Sequence, residues 1–315
     1  MTDNVDIPAE VIAVAEERAR AKADRDFATA DSLRDRIAEL GYVVTDASDG
    51  FRLAPKPPFE VLTGLAAVAA AGPLASEATC IVGLLVDGWP DDVERCVRAV
   101  VDHTGPEIVV VALDCGDVDG AGGTVHRLAQ EYAGRVVELH VPGQLGQVGW
   151  GKAITALIEA GGAEFFATMD ISTVLDGDAF TSILATFDDP SVVGSGWRGV
   201  DVDLDDSWRS FVDAEAGEVD AVLGYLFVVR RSAALAAAPH PKAVFYRNAD
   251  MEWSLALREG GGRLVIPAGA LPVHQDRHHG YHDSDPEYRD RESRRTYDRF
   301  LQRFRGRSDL LRPRG

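Results

Sequence analysis

The stretch CIVGLLV (80–86) decides the fold of this chain, and six later apolar runs repeat its pattern: EIVVVAL (107–113), RVVELHV (135–141), EFFATMD (164–170), SVVGSGW (191–197), AVLGYLFVV (221–229) and RLVIPA (263–268). Runs that are apolar at nearly every position and rich in β-branched residues are typical of strands buried on both faces of a sheet. Helical patterns at 91–103 and 124–132 separate the early runs. This alternation predicts an α/β fold with a Rossmann-like, mostly parallel sheet flanked by helices.

The N-terminal region has a different pattern. Apolar residues recur at three- and four-residue steps between Pro8 and Leu40, which predicts two short helices that break at 24–26 and stop at Gly41. YVVTDASDGFRL (42–53) predicts two short strands around a turn, and the prolines of APKPPF (54–59) disfavour helix. We therefore expect a helical hairpin unit at 1–53, a linker at 54–78, the α/β domain at 79–285, and a C-terminal helix and tail at 286–315.

Composition limits the classes of function. The 315 residues are 46% hydrophobic, which suffices for one sizeable core and a small accessory unit. The net charge of −19 repels nucleic acid phosphates and anionic membrane surfaces, so we expect no nucleic acid partner. The sequence shows no signal peptide, no apolar stretch long enough to span a bilayer, and three cysteines without paired spacing. We expect a cytoplasmic protein and leave its oligomeric state open, a homo-oligomer included.

Candidate ligand-binding residues lie where strands end, because ligands of such sheets bind at the carboxyl ends of the strands. Asp114 and Asp170 each end an apolar run, where a carboxylate can accept hydrogen bonds from a nucleoside or bind a divalent ion. Between them, Gly149 and Lys152 lie in a glycine-rich stretch that begins a helix, a setting that favours negatively charged ligands. For both carboxylates a plain turn residue is the alternative.

Two later segments carry further candidates. Asp250 and Glu252 begin an amphipathic helix, where helix capping is the alternative to catalysis. The tract PVHQDRHHGYHD (272–283) holds four of the eight histidines, His274 among them, next to acidic residues. Imidazoles in that setting can bind a metal ion or phosphate.

Residues 21–53, AKADRDFATADSLRDRIAELGYVVTDASDGFRL, resemble the C-terminal helical region of cysteinyl-tRNA synthetases. The synthetase catalytic signatures are absent, so the resemblance implies a fold unit and no activity. A packing or dimerisation hairpin is favoured over RNA contact, because the acidic residues of this segment are at least as numerous as the basic ones.

Residues 79–285 resemble glycosyltransferase family 2, the GT-A-fold enzymes that use nucleotide diphosphosugars. The resemblance rests on CIVGLLV, on Asp114 after the second strand, on GQVGWGKAITALIEAG (146–161), on FFATMDIST (165–173) and on NADMEWSLALREGG (248–261). It implies that Asp114, Gly149 and Lys152 line the nucleotide-sugar site. It further implies that Asp170 and His274 hold a divalent metal ion, Mn²⁺ or Mg²⁺, near the pyrophosphate. Ser172 stands where the family has the second acid of its Asp-x-Asp motif, and a hydroxyl is a poorer ligand for these ions.

The implied reaction is inverting transfer of a sugar to an acceptor hydroxyl of unknown identity, with Asp250 as general base and Glu252 as the second acid of that element. Two alternatives remain. The substitution at Ser172 suggests a nucleotide-sugar binding or regulatory protein with weak catalysis. A sugar nucleotidyltransferase ranks lower, because LLVDGWPDD (84–92) is acidic where such an enzyme needs a basic phosphate loop.

Overall fold

The computed structural model describes residues 7–47 and 50–314. The chain divides between Pro58 and Phe59 into two compact units. Within the described residues no helix is both long and apolar enough to cross a membrane.

The smaller unit contains the two helices and two strands that the sequence predicts. They are α1 (Ala9–Ala23), α2 (Phe27–Glu39), β1 (Tyr42–Ala47) and β2 (Gly50–Pro55), with β1 and β2 antiparallel. The predicted turn at 48–49 lies outside the described residues. Asp26 begins α2 by accepting a hydrogen bond from the Thr29 amide at 3.1 Å, which satisfies one of the free N–H groups of the first turn. A small core holds the unit together: Val11, Ala15, Ile37 and Val44.

The larger unit is built from ten helices and thirteen strands of the described chain. The helices are α3 (Leu65–Ala70), α4 (Pro90–His103), α5 (Ala121–Glu131), α6 (Leu145–Val148), α7 (Trp150–Ala160), α8 (Phe180–Ala185), α9 (Arg231–Ala236), α10 (Ala249–Glu259), α11 (His279–His282) and α12 (Pro286–Phe304). The strands are β3 (Cys80–Val86), β4 (Ile108–Cys115), β5 (Val136–Val141), β6 (Phe165–Met169), β7 (Thr173–Leu175), β8 (Val192–Gly196), β9 (Gly199–Val202), β10 (Phe211–Ala214), β11 (Gly217–Val219), β12 (Ala221–Val222), β13 (Leu226–Arg230), β14 (Arg263–Ile266) and β15 (Val273–Gln275).

The central sheet has eight strands in the order β11-β14-β8-β13-β6-β3-β4-β5. Its consecutive strands β6, β3, β4 and β5 are parallel, β14 is parallel to β8, and β13 runs antiparallel to both of its neighbours. The predicted α/β class with a mostly parallel sheet is therefore confirmed. The chain passes from β3 outward to β5 and then returns to the other side of β3 with β6, so the strand order reverses at β3.

Apolar layers cover both faces of this sheet, as the continuous hydrophobic runs predict. Val82, Leu84 and Val110 belong to one layer, and Ile81 and Val111 belong to the other. Because successive strand residues point to opposite faces, a strand with a core on each side must be apolar at every position. This requirement explains why the sequence pattern indicates the fold so directly.

The segment predicted as a linker over 54–78 consists of two structured pieces. β2 of the smaller unit continues to Pro55, and α3 of the larger unit packs against α7 with Val68 fully buried. The Leu74 amide also donates to the Ala160 carbonyl at 2.8 Å. The short alanine-rich helix has too few polar residues to show an amphipathic pattern, so its role in packing was not evident from the sequence.

The C-terminal segment 286–314 is part of the larger unit. Phe300 and Phe304 of α12 are buried in a cluster that includes Leu255 and Ala256 of α10. α12 therefore supports the helix that begins at Ala249.

Candidate active site

The candidate site lies at the carboxyl ends of β3 and β6, where the strand order reverses. Open α/β sheets bind ligands at such a point, because the helices that follow the two neighbouring strands diverge and leave a crevice. Two adjoining cavities of about 390 and 250 Å³ occupy it. Both are lined by Leu85, Leu145, Asp170, Tyr246 and His278.

Asp170 follows β6 and faces both cavities. Its Oδ2 lies 2.9 Å from Nε2 of His278, and its Oδ1 accepts hydrogen bonds from the Ser172 amide at 2.9 Å and from the Ser172 hydroxyl. Burial would raise the pKa of Asp170, but the hydrogen bond and charge of His278, together with the bonds from Ser172, lower it overall. Asp170 is therefore an ionised carboxylate at neutral pH.

Asp250 lies in the first turn of α10 and lines the larger cavity. Two main-chain amides hold its carboxylate: Gly224 N donates to Oδ2 at 2.8 Å and Met251 N donates to Oδ1 at 2.9 Å. Burial raises the pKa of Asp250 more than these two bonds lower it. The two amides therefore fix the orientation of this carboxylate.

Asp170 and Asp250 both lie near enough to Tyr225 for their charges to raise the pKa of its phenol. Tyr225 lines the larger cavity, and after burial the charges of Asp250 and Asp170 are the next causes that raise its pKa. The structure thus brings together the two carboxylates that the sequence predicts for metal binding and for general-base catalysis.

The structure does not bring His274 to the site, although His274 is the predicted metal ligand. β15 pairs with β7, and the alternation along β15 buries Val273 while His274 points outward. The His274 side chain is 48% exposed and its Nδ1 lies 2.7 Å from Asp176 Oδ2. His278 of the same tract is the histidine that meets Asp170.

Glu252 also lies away from both cavities. It is 2% exposed and forms a two-pronged ion pair with Arg299 of α12, at 2.6 Å from Nε and 2.5 Å from Nη2. Residues two apart on a helix do not share a face, so Glu252 points away from Asp250 toward α12. This position indicates that Glu252 has a structural role, in which it joins α10 to α12.

Two of the predicted nucleotide-binding residues, Asp114 and Gly149, line neither cavity. Asp114 is 1% exposed, and its Oδ2 lies 3.1 Å from Nδ1 of His140. Gly149 has φ +87° between α6 and α7, which glycine adopts without strain. Its neighbour Trp150 bonds the Val244 carbonyl, so this part of the glycine-rich stretch packs against main chain.

Lys152 lies on the outer surface of α7, in a separate groove beside Ala238 and Pro239. The opposite side of this helix faces the core, with Ile154 and Leu157 buried. Lys152 therefore lines neither of the two cavities of the candidate site.

Several residues of the smaller cavity were missed by sequence reasoning: Asp87, Trp89, Asp92, Gln144 and Tyr288. The position of Asp87 directly after β3 was the available signal, equivalent to that of Asp170 after β6. Trp89 has φ +52°, which is uncommon for a bulky residue and costs backbone strain. Local strain of this kind occurs at ligand sites but cannot be deduced from sequence.

The donor atoms of the site meet part of the needs of a divalent ion. Across residues 7–47 and 50–314 no group of three or more His, Cys, Asp or Glu side chains is placed to hold a metal. Asp170 and His278 provide two suitable donors, while the Ser172 hydroxyl is bonded to Asp170 and accepts from Gln275 Nε2 at 3.2 Å. Mg²⁺ commonly takes one or two protein ligands and completes its shell with substrate phosphates and water. The residues fit an ion that is shared with a diphosphate.

Comparison with known proteins assigns the two units to different relatives. A family model described as the cysteinyl-tRNA ligase anticodon binding domain matches residues 4–51. Cysteine--tRNA ligase of Opitutus terrae is 52% identical over 50 residues, which cover 16% of this chain and 11% of that protein. The enzyme of Methanosarcina mazei is 40% identical over 45 residues, 14% of this chain and 10% of that protein. The chain thus spans about a tenth of the length of these relatives.

Solved glycosyltransferases share the fold of most of this chain. GalNAc-T7, solved with UDP, GalNAc and Mn²⁺, matches 71% of this chain and 48% of its own, with a TM-score of 0.57 and 14% identity. A mannosyltransferase of Pyrobaculum calidifontis, solved with GDP-Man and Mn²⁺, matches 72% of this chain and 63% of its own, with a TM-score of 0.51 and 14% identity. These likenesses confirm the predicted GT-A fold, and the N-terminal match confirms the predicted resemblance to cysteinyl-tRNA synthetases.

Proposed function

We propose that the larger unit transfers a sugar from a nucleotide diphosphosugar to an acceptor hydroxyl with inversion, in the manner of glycosyltransferase family 2. The observation that carries this proposal is Asp250, a carboxylate held by two amides in the wall of a cavity that it shares with Asp170. A general base needs a fixed position beside the proton that it accepts and a pKa nearer to the working pH than that of a free carboxyl. The two amides fix the position of Asp250, and burial raises its pKa.

In the proposed reaction Asp250 accepts the proton of the acceptor hydroxyl while the acceptor oxygen bonds to the anomeric carbon of the sugar. The bond from that carbon to the diphosphate oxygen breaks on the opposite face, and the nucleoside diphosphate leaves with the electron pair. Burial favours proton uptake by Asp250, because it makes the negative charge of the carboxylate less stable.

The departing diphosphate gathers negative charge at the Asp170 end of the cleft. His278 lies there, and Arg247 lines the larger cavity. Asp170 and His278 would hold a divalent ion, Mn²⁺ or Mg²⁺, which when bound neutralises diphosphate charge. His278 and Asp170 would then exchange their mutual contact for contacts with the ion. Preorganised positive charge of this kind is usually a large part of rate enhancement.

The smaller unit is proposed to be a packing or dimerisation module with no part in donor chemistry. Asp46 supports its fold, because hydrogen bonds from Arg18 and Lys22 lower the pKa of that carboxyl to about 2.

The three cysteines of the larger unit are free and buried, which agrees with the expectation of a reducing, cytoplasmic setting.

The proposal is tested by incubating the protein with a panel of nucleotide diphosphosugars, with Mn²⁺ or with EDTA, and measuring release of nucleoside diphosphate. We expect slow donor hydrolysis that Mn²⁺ increases, since water can replace an absent acceptor. Tight nucleotide binding without release from any donor would instead indicate a binding or regulatory protein. The Asp250→Asn variant serves as the matched control for background hydrolysis.

A further inference from the structure

The smaller cavity contains polar atoms that lack partners inside the protein. Asp92 is 5% exposed, and its Oδ1 pairs with Arg95, whereas its Oδ2 forms no hydrogen bond within the described part of the chain and lies 3.8 Å from Nε2 of His279. The hydroxyl of Tyr288 is likewise buried without a partner among the described residues. Buried polar atoms are rarely left unpaired in native structures, so both atoms point to a polar ligand.

Asp87 is the carboxylate best placed to recognise that ligand. It follows β3 directly and lines the cavity, where its Oδ1 receives a long hydrogen bond of 3.4 Å from the Leu145 amide. Burial raises the pKa of Asp87 to about 6, and the charge of Asp114 adds to that effect while the Leu145 amide opposes it. At pH 7.5 the group is therefore ionised and presents two acceptor oxygens and no donor.

An ionised carboxylate distinguishes the four common bases by their hydrogen-bonding edges. Guanine presents two adjacent donors, N1–H and the 2-amino group. Adenine and cytosine each place an acceptor nitrogen beside their amino group, and uracil places a carbonyl on each side of N3–H. Two adjacent acceptors therefore pair fully with guanine alone and repel a lone pair on each of the other bases.

The rest of the lining agrees with a nucleobase. The Trp89 indole lines the same cavity and offers an aromatic face for stacking. Gln144 contributes an amide that can donate to a carbonyl such as guanine O6. Base readout by edge hydrogen bonds together with aromatic stacking is a common arrangement for single nucleotides.

We propose that the smaller cavity binds the nucleobase of the donor and selects guanine, with N1–H and the 2-amino group donating to the two carboxylate oxygens of Asp87. This inference rests on the proposed function, because it takes the cavity to be the donor's nucleotide site. The sugar donor is accordingly a guanosine diphosphosugar.

The test is calorimetric binding of GDP, UDP, ADP and CDP to the full-length protein at pH 7.5 with Mn²⁺. We expect GDP to bind at least about tenfold more tightly than the others, since a bidentate base contact discriminates by about tenfold to a hundredfold. Asp87→Asn should lose that preference and gain affinity for xanthosine diphosphate. Xanthine has a carbonyl where guanine has the 2-amino group, so it pairs with the donor and acceptor of an asparagine amide.

Asp91→Asn is the matched control, because Asp91 is an exposed acid of the same segment that does not line the cavity. It should leave all affinities unchanged. UDP, ADP or CDP binding to the wild type as tightly as GDP would overturn the guanine assignment while leaving the proposed glycosyl transfer in place, and this comparison needs no folded variant. An equal loss of all nucleotides in Asp87→Asn, without a gain for xanthosine diphosphate, would overturn it as well. A wild-type protein that binds none of the nucleotides would overturn both proposals.

Discussion

Asp250→Asn is the substitution that tests the proposed chemistry most directly. The change keeps the size and planarity of the side chain but removes its ability to accept a proton. Loss of a general base lowers the rate by about a hundredfold to ten-thousandfold, which corresponds to about 2.7 to 5.5 kcal/mol of activation free energy. We expect a fall in kcat within that range on the true acceptor.

The structure predicts a much smaller effect of the same substitution on stability. The wild-type carboxylate accepts from Gly224 N at 2.8 Å and from Met251 N at 2.9 Å. Asparagine retains one oxygen, so one of the two amides loses its acceptor, at a cost of about 1 kcal/mol. Thermal unfolding should therefore shift only slightly, and donor affinity should stay within about twofold of wild type by calorimetry, since a removed transition-state contact leaves ground-state binding unchanged.

The proposed base also predicts how kcat/KM depends on pH. Burial raises the pKa of Asp250, and only the ionised form accepts a proton, so wild-type kcat/KM should increase as pH rises through that pKa. This increase of kcat/KM with pH, the acidic limb of the profile, should be absent in Asp250→Asn. Asp178→Asn is the control, because Asp178 is an exposed capping carboxylate that accepts from Thr181 N at 3.0 Å. Near-normal turnover of Asp250→Asn, with the acidic limb intact, would refute the base assignment.

Three further outcomes are expected. His278→Ala should weaken nucleoside diphosphate binding in Mn²⁺ by roughly tenfold in calorimetry, whereas His274→Ala should not; the reverse result would return the metal to His274. Lys152→Ala should leave binding and turnover unchanged, and a clear loss would show that Lys152 reaches the donor. Glu252→Gln should lower the free energy of unfolding by roughly 3 kcal/mol, measured by urea denaturation, because it removes the buried negative charge that compensates Arg299, while turnover per folded molecule is retained. Normal stability with lost turnover would instead support a catalytic Glu252.

The strands of the central sheet, and the residues where they end, could be predicted from the sequence for a physical reason. A strand with a core on both faces must be apolar throughout, and its first polar residue marks the edge of the sheet. Asp170 directly follows β6, and Asp250 lies in the first turn of α10. Both lie in the cleft.

The residues that were misplaced depend on contacts distant in sequence. Four histidines lie within one tract, and only the pairing of β15 with β7 decides that His278 reaches Asp170 while His274 does not. Asp114 is paired with His140 of the next strand, which no local pattern indicates. Glu252 is different, since helical spacing alone places it on the face opposite Asp250. That prediction could have been corrected without a structure.

The way in which Asp250 is held has a consequence for changing the acceptor. Both of its hydrogen-bond donors are main-chain amides, those of Gly224 and Met251. The side chains of Leu223, Tyr225 and Met251 line the same cavity but are not among those donors. A mutant library at these three positions would therefore vary the shape of the acceptor pocket while the base keeps its orientation, which makes this wall the place to begin directed evolution toward new acceptors.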